Sequence, residues 1–144
     1  MSRLYPERPI VGIGTVVWHG QRVLLVRRAR PPRVGQWSLP GGAQKLGETM
    51  AEGARREIRE EAGIEVTLGE VIATLDLIDR DPAGAVRFHY TLVDFVAEAL
   101  GAALTPGSDA ADARWFELDE LPALGLWSET IRIIERSRSR RPCP

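Results

Sequence analysis

Glu57, Glu60 and Glu61 stand three and four residues apart within the helix-forming run 50–62. An α-helix places such positions on one face. Like charges so placed repel by about 0.2–0.5 kcal/mol per pair in the open. A helix selected for stability alone would alternate signs there, and Arg56 and Arg59 relieve only part of the conflict. A divalent cation would resolve it. Mg²⁺ takes oxygen ligands in octahedral geometry, keeps several waters, and draws the rest from carboxylates and substrate phosphates. Zinc is disfavoured, because the chain has no Cys/His cluster. The competing reading is a salt-bridged, solvated Arg/Glu face. The glycines in front tip the balance. Pro40-Gly41-Gly42, read as a sharp turn, lets backbone approach a ligand closely. Gly47-Glu48 then leads into a helix start, an end that favours anions. Together these form a device for phosphate plus metal.

The surrounding elements must hold that device in place. Residues 10–18 are β-branched and apolar and read as a buried strand; 22–28 read as its hairpin partner across His19-Gly20-Gln21. Residues 29–36 are a loop broken by Pro31, Pro32 and Gly35, and 37–39 are extended before Pro40. Thr49 is the expected N-cap of the helix, with Glu52 completing a capping box and Gly63 as the terminating glycine. Ala51, Ala54, Ile58 and Ala62 form a narrow apolar face that can lie close to a sheet. Residues 64–78, with a break near Gly69, and 86–97 read as two long strands around a turn at 79–84; Asp79 and Asp81 read as polar tip residues. A last short strand, 114–118, precedes a short helix from Asp119 and another at Trp127-Ser128. Ser128 is its expected cap, and Ile131, Ile133 and Ile134 its apolar contacts. This order predicts a mixed sheet with helices on its faces, an α/β sandwich.

The segment 42–64 resembles the Nudix signature. That signature is a glycine, five residues, a glutamate, seven residues, Arg-Glu, an aliphatic residue, any residue, Glu-Glu, any residue, glycine, and an aliphatic residue. Gly42, Glu48, Arg56, Glu57, Ile58, Glu60, Glu61, Gly63 and Ile64 fill every position. At typical residue frequencies the seven fixed positions coincide by chance on the order of once in 10⁸. The resemblance implies an α/β/α sandwich with the signature as loop–helix–loop. It implies a Mg²⁺-dependent hydrolase (Mn²⁺ substituting) that cleaves the pyrophosphate bond of a nucleoside diphosphate linked to another group. Glu57 and Glu61 are then the leading metal ligands, with Glu60 and the Gly41 carbonyl assisting. Glu48 and Arg56 complete the catalytic set by holding loop and helix in register. The general base is Glu57 or, on a later loop, Asp109 or Asp112. Arg27 and Arg28 are candidates for a phosphate or terminal ribose, and Trp37 and Phe88 for stacking a base.

For substrate, the segment 84–95, with Arg87, His89 and Tyr90, looks like members that act on ADP-ribose. Pro82, 18 residues past Ile64, sits slightly later than their characteristic proline. The alternatives are a MutT-like nucleoside triphosphate pyrophosphohydrolase, including one that sanitises modified triphosphates, and a non-catalytic nucleotide-sensing module. The intact glutamates speak against the last. Dimers are common in the family, so a homodimer is the expectation.

The bulk numbers restrict the remaining classes. The 144 residues suggest one domain spanning the chain, and the net charge of -1 gives no basic face for a nucleic-acid polymer. The single cysteine, Cys143, makes no internal disulfide. Neither an apolar leader nor a membrane-length apolar run is present, which points to the cytoplasm. The arginine-rich residues 137–144 are expected to fray.

Overall fold

The computed structural model describes residues 3–29, 34–107 and 110–143. Part of the expected loop at 29–36 therefore lies outside the described residues, and so does the candidate base Asp109. Seven strands form one mixed sheet: β1 (Ile10–His19), β2 (Arg22–Arg28), β3 (Trp37–Ser38), β4 (Gly41–Ala43), β5 (Val66–Arg80), β6 (Val86–Ala99) and β7 (Ala110–Glu117). The main order is β3-β2-β1-β6-β5, with β4 pairing β1 and β7 pairing β2. β1 and β6 run parallel, from Ile10 opposite Tyr90 to Trp18 opposite Glu98; the other pairs are antiparallel. The β5–β6 register shifts between Leu68 and Val71, around Gly69.

Strand side chains alternate between faces, and the two faces carry different helices. On one face lies α1 (Met50–Ala62), whose Ala54, Ile58 and Ala62 pack with Ile13, Val17, Val93, Phe95 and Ala97. Close contact needs small residues there. A side chain on Gly53 would meet Ile13 and the Glu48 carboxyl, so this glycine joins the buried face, whereas Ala51 stays half-buried. Burying Ile58 alone contributes about 1.5–3 kcal/mol. On the opposite face, Val16, Trp18, Val23, Leu25 and Val96 pack with Ile133 and Ile134 of α2 (Ser128–Ser137).

Both ends of α1 are specified locally. Thr49 and Glu52 exchange capping hydrogen bonds, and Gly63 closes the helix at φ 69°. The Thr105 N–H then donates to the Ala62 carbonyl (2.8 Å), so the 101–107 segment satisfies part of the helix end.

Several sequence expectations are corrected. Pro40-Gly41-Gly42 is no sharp turn, because Gly41–Ala43 pairs with β1 as a strand. The last strand starts at Ala110, earlier than 114, since β2 offers it a partner along its length. Trp127, not Ser128, is the α2 N-cap, and Ile131 faces solvent. The tail is held against the fold over its described part, where it was expected to fray. Buried Ser137 accepts a hydrogen bond from Trp18 Nε1 (2.9 Å), and a 3-10 turn follows over Arg138–Arg140. The Arg141 guanidinium then forks onto Glu98 (2.6 Å for both bonds) while lying 4.7 Å from the Trp18 ring centroid. Among the described residues no helix is long and apolar enough to cross a membrane.

Candidate active site

The α1 face meets β4 through one arginine. Arg56 Nε and Nη2 donate to the two Glu48 oxygens (2.9 and 2.7 Å), and Nη2 also reaches the Ala43 carbonyl (3.2 Å). Its Nη1 donates to Glu57 (2.7 Å) and Glu60 (3.2 Å). Glu48 also accepts from the Lys45 N–H (2.8 Å). These contacts, led by Arg56, hold the Glu48 carboxyl down at about 2. One side chain thus joins the β4 segment, the helix entry and the helix face.

Glu57 lies directly over β4. A side chain on Gly42 would run into its carboxyl, and one on Gly41 would overlap the Ile13 carbonyl oxygen. Bare backbone at both positions is therefore a steric requirement, not a need for unusual dihedrals. The Gly41 N–H donates to Glu61 Oε1 (2.8 Å), and the Glu61 carboxyl hydrogen-bonds Glu57. Burial, and then that hydrogen bond, pushes Glu61 well above the usual carboxylate range, with the Gly41 N–H and the Arg28 charge opposing. Glu60 stays apart. Its side chain is 51% exposed and pairs with Arg56 and, at 4.0 Å, Lys45.

Among the described residues no group of three His, Cys, Asp or Glu side chains is arranged around a common point. The Glu57–Glu61 pair is nevertheless suited to a hard cation. Two partly buried carboxyls in contact need a shared proton or a positive ion between them. The donors are all oxygen, and Mg²⁺ is commonly held by one or two carboxylates plus water and substrate phosphates.

Two cavities adjoin at β4. The smaller, about 540 Å³, is walled by the glutamates together with Arg27, Arg28, Lys45 and Arg56. The larger, about 700 Å³, opens on the α2 face and is walled by Trp37, Phe88, Tyr90, Leu92, Asp94 and Trp127, among others. Arg28, Ser38, Gly41 and Gly42 border both. The larger cavity exists because β1 carries Gly12 and Gly14 on this face. Side chains there would collide with Leu92 and Asp94.

Of the expected ligand contacts, Trp37 and Phe88 line the large cavity, Arg27 the small one, and Arg28 both. Trp37 is fixed edge-on against Phe116 (5.0 Å), with the Arg27 and Arg114 guanidinium groups each 5.6 Å from its centroid. Asp112 borders neither cavity; its carboxylate is held by Arg114 Nε and the Ala113 N–H (2.8 and 2.9 Å). Sequence reasoning missed Gly12, Gly14 and Asp94. The signal was legible as a Gly-x-Gly inside a strand and a carboxylate inside an apolar one. Asp94 is only 6% exposed, and burial pushes its carboxyl up to about 6.

The same conclusion is reached by comparison with known proteins. A NUDIX domain model matches residues 8–136. An ADP-ribose pyrophosphatase of Methanocaldococcus jannaschii is 34% identical over 129 residues, covering 90% of this chain and 73% of that protein. An oxidized purine nucleoside triphosphate hydrolase of Mus musculus is 31% identical, covering 79% of this chain and 70% of that protein. The crystal structure of a MutT NUDIX hydrolase from Burkholderia pseudomallei superimposes with a TM-score of 0.77 at 31% identity, covering 90% of this chain and 98% of that one. With glycine strand, capped helix and glutamate face assembled as its signature demands, the chain belongs to the NUDIX family of hydrolases, enzymes that act on phosphoanhydride bonds and use a divalent metal.

Proposed function

We propose that this hydrolase splits the pyrophosphate link of a nucleoside diphosphate joined to a second group, with ADP-ribose as the leading substrate and Mg²⁺ as the metal. The adjacency of the two cavities carries this reading. A cationic, glutamate-bearing cleft suits a diphosphate, and the aromatic chamber sharing its Gly41–Gly42 wall suits a nucleoside. The identity to the archaeal ADP-ribose pyrophosphatase points the same way.

Glu57 and Glu61, with Glu60 and the Gly41 carbonyl assisting, are the groups we assign to the metal. When bound, the metal neutralises phosphate charge and makes a bound water more acidic. Arg56 and Glu48 keep the helix face and β4 in register, and Arg27 and Arg28 face the diphosphate. Glu57 accepts the proton of the attacking water. One phosphorus–oxygen bond forms, the bridging bond breaks, and for ADP-ribose the products are AMP and ribose 5-phosphate. Asp112 is set aside as base, because Arg114 holds it away from both cavities.

A second reading, hydrolysis of a nucleoside triphosphate to a monophosphate and pyrophosphate, is favoured by the likeness to the mouse enzyme. A panel with Mg²⁺ separates the two, comprising ADP-ribose, nucleotide sugars, dinucleoside polyphosphates, and ordinary and oxidised triphosphates. Preference is read as kcat/KM. ADP-ribose is expected to lead, and a triphosphate ahead of it with pyrophosphate released would overturn the assignment.

A further inference from the structure

Asp94 has no role in the chemistry described so far, yet its setting is costly. Along β6, Val96 is fully buried in the core beside Trp18 and Ile134. Two residues earlier on the same face stands Asp94, and beyond it Leu92, Tyr90 and Phe88 line the large cavity. Asp94 thus marks the point where the packed core ends and the hollow begins. Gly14 makes room for it, since a side chain there would overlap Asp94 Oδ1. Gly41, Gly14 and Asp94 lie in one row across β4, β1 and β6, so Asp94 stands two strand spacings, about 10 Å, from the glycine that touches Glu61.

Among the described residues the Asp94 side chain makes no hydrogen bond or ion pair, and burial alone acts on its acidity. Buried polar groups almost always have partners, and those without one call for an explanation. Here a cavity with aromatic walls supplies the missing partner's place.

We propose that Asp94 is a specificity residue that hydrogen-bonds the amino-bearing edge of an adenine seated in the large cavity. The proposal rests on the nucleotide reading above. Burial already raises this carboxyl to about 6 with the cavity open, and a base seated over it removes more water, so in the complex it keeps its proton and offers an O–H donor beside a C=O acceptor. Adenine presents the complement, a ring-nitrogen acceptor next to an amino donor. Among the described residues no cation opposes proton retention by Asp94. A guanine edge, with two adjacent donors, would call for the charged form, which burial disfavours.

The test is calorimetric binding of AMP, GMP and purine riboside 5′-monophosphate, which lacks the amino group, to the Mg²⁺-loaded protein. The wild type is expected to bind AMP on the order of 10-fold more tightly than either of the others, because a site built for a donor rejects the analogue lacking it. Asp94→Val is expected to reduce that preference to about 2-fold or less, while Asp94→Asn, which still offers a donor beside an acceptor, retains it. A wild type without preference, tighter binding of GMP, or a preference surviving in Asp94→Val overturns the proposal. Should Asp94→Val not fold, the wild-type ratio and Asp94→Asn decide. The hydrolytic panel fails independently. A protein that discriminates AMP through Asp94 but does not cleave ADP-ribose keeps this inference and loses only the substrate assignment.

Discussion

On the α1 face of the sheet, Ile13, Val17, Val93, Phe95 and Ala97 pack directly against a helix made narrow by alanine and glycine. The α2 face uses the intervening residues of the same strands, yet Gly12 and Gly14 leave a chamber of about 700 Å³. The packed face carries the glutamates at its edge, where Arg56 ties Glu57 to β4 and the Gly41 N–H holds Glu61. The hollow face carries the aromatic walls and Asp94. Chemistry placed on a packed support and recognition placed in a void make different demands on sequence. The first needs close approach and paired charges, and the second needs side chains withheld. The two should therefore respond differently to substitution.

The largest effect is expected on the packed face. Glu57→Gln and Glu61→Gln each take a carboxylate ligand out of the assigned metal-holding pair with little change of shape, so kcat should fall by about 10²–10⁴-fold with KM little changed. The thermal melt of Glu61→Gln should match or exceed the wild type, because Glu61 is held in an unfavourable, desolvated position. Steady-state kinetics with Mg²⁺ titration checks this. Wild-type kcat in either variant would remove the glutamate pair from catalysis and erase the distinction between the faces.

A smaller effect of opposite kind is expected on the hollow face. Gly14→Ala places a methyl group where Asp94 Oδ1 now sits and displaces a carboxyl that has room to turn into the cavity. KM for the nucleotide should rise about 10-fold while kcat stays within about 3-fold, the pattern of lost uniform binding. A fall in kcat at unchanged KM would mean that the β1 glycines support the chemistry and that the faces are not divided as described.

The same contrast explains what could be read in advance. The capping box at Thr49 and Glu52, the glycine stop at 63 and the glutamate spacing are local patterns, legible because helix geometry ties neighbours in sequence to neighbours in space. The sandwich followed from the order of strands and helices. Pro40-Gly41-Gly42 misled, since glycines that suggest a turn serve here to let β4 lie against Ile13 and beneath Glu57. Glu60 shared the helix face in sequence, but Arg56 and Lys45 draw it toward solvent, a competition that spacing does not show. The tail looked free because its partners, Glu98 and Trp18, lie far away in the chain. Asp94 was legible as a carboxylate inside an apolar strand, but that Gly14 lies opposite it is set by the β1–β6 register, which local sequence does not give.

The smallest expected effect concerns the joint between β4 and the packed face. Glu48→Gln keeps the shape of the group that receives Arg56 and removes its charge, while Arg56 retains its contacts to Glu57, Glu60 and the Ala43 carbonyl. Activity should fall by about 10-fold or less, at the bottom of the range for groups that act only by orienting others. The stability effect has a defined pH signature. Glu48 ionises near 4.5 when free and near 2 in the fold, so the folded state binds fewer protons in that interval. Its contribution is present in full above pH 4.5 and is lost as pH falls toward 2. The wild type should therefore melt higher than Glu48→Gln at neutral pH, and the gap should narrow through that interval and close below it. A gap constant down to pH 2 would show that shape, not charge, holds β4 to the helix, and would leave the glutamate face without its electrostatic anchor.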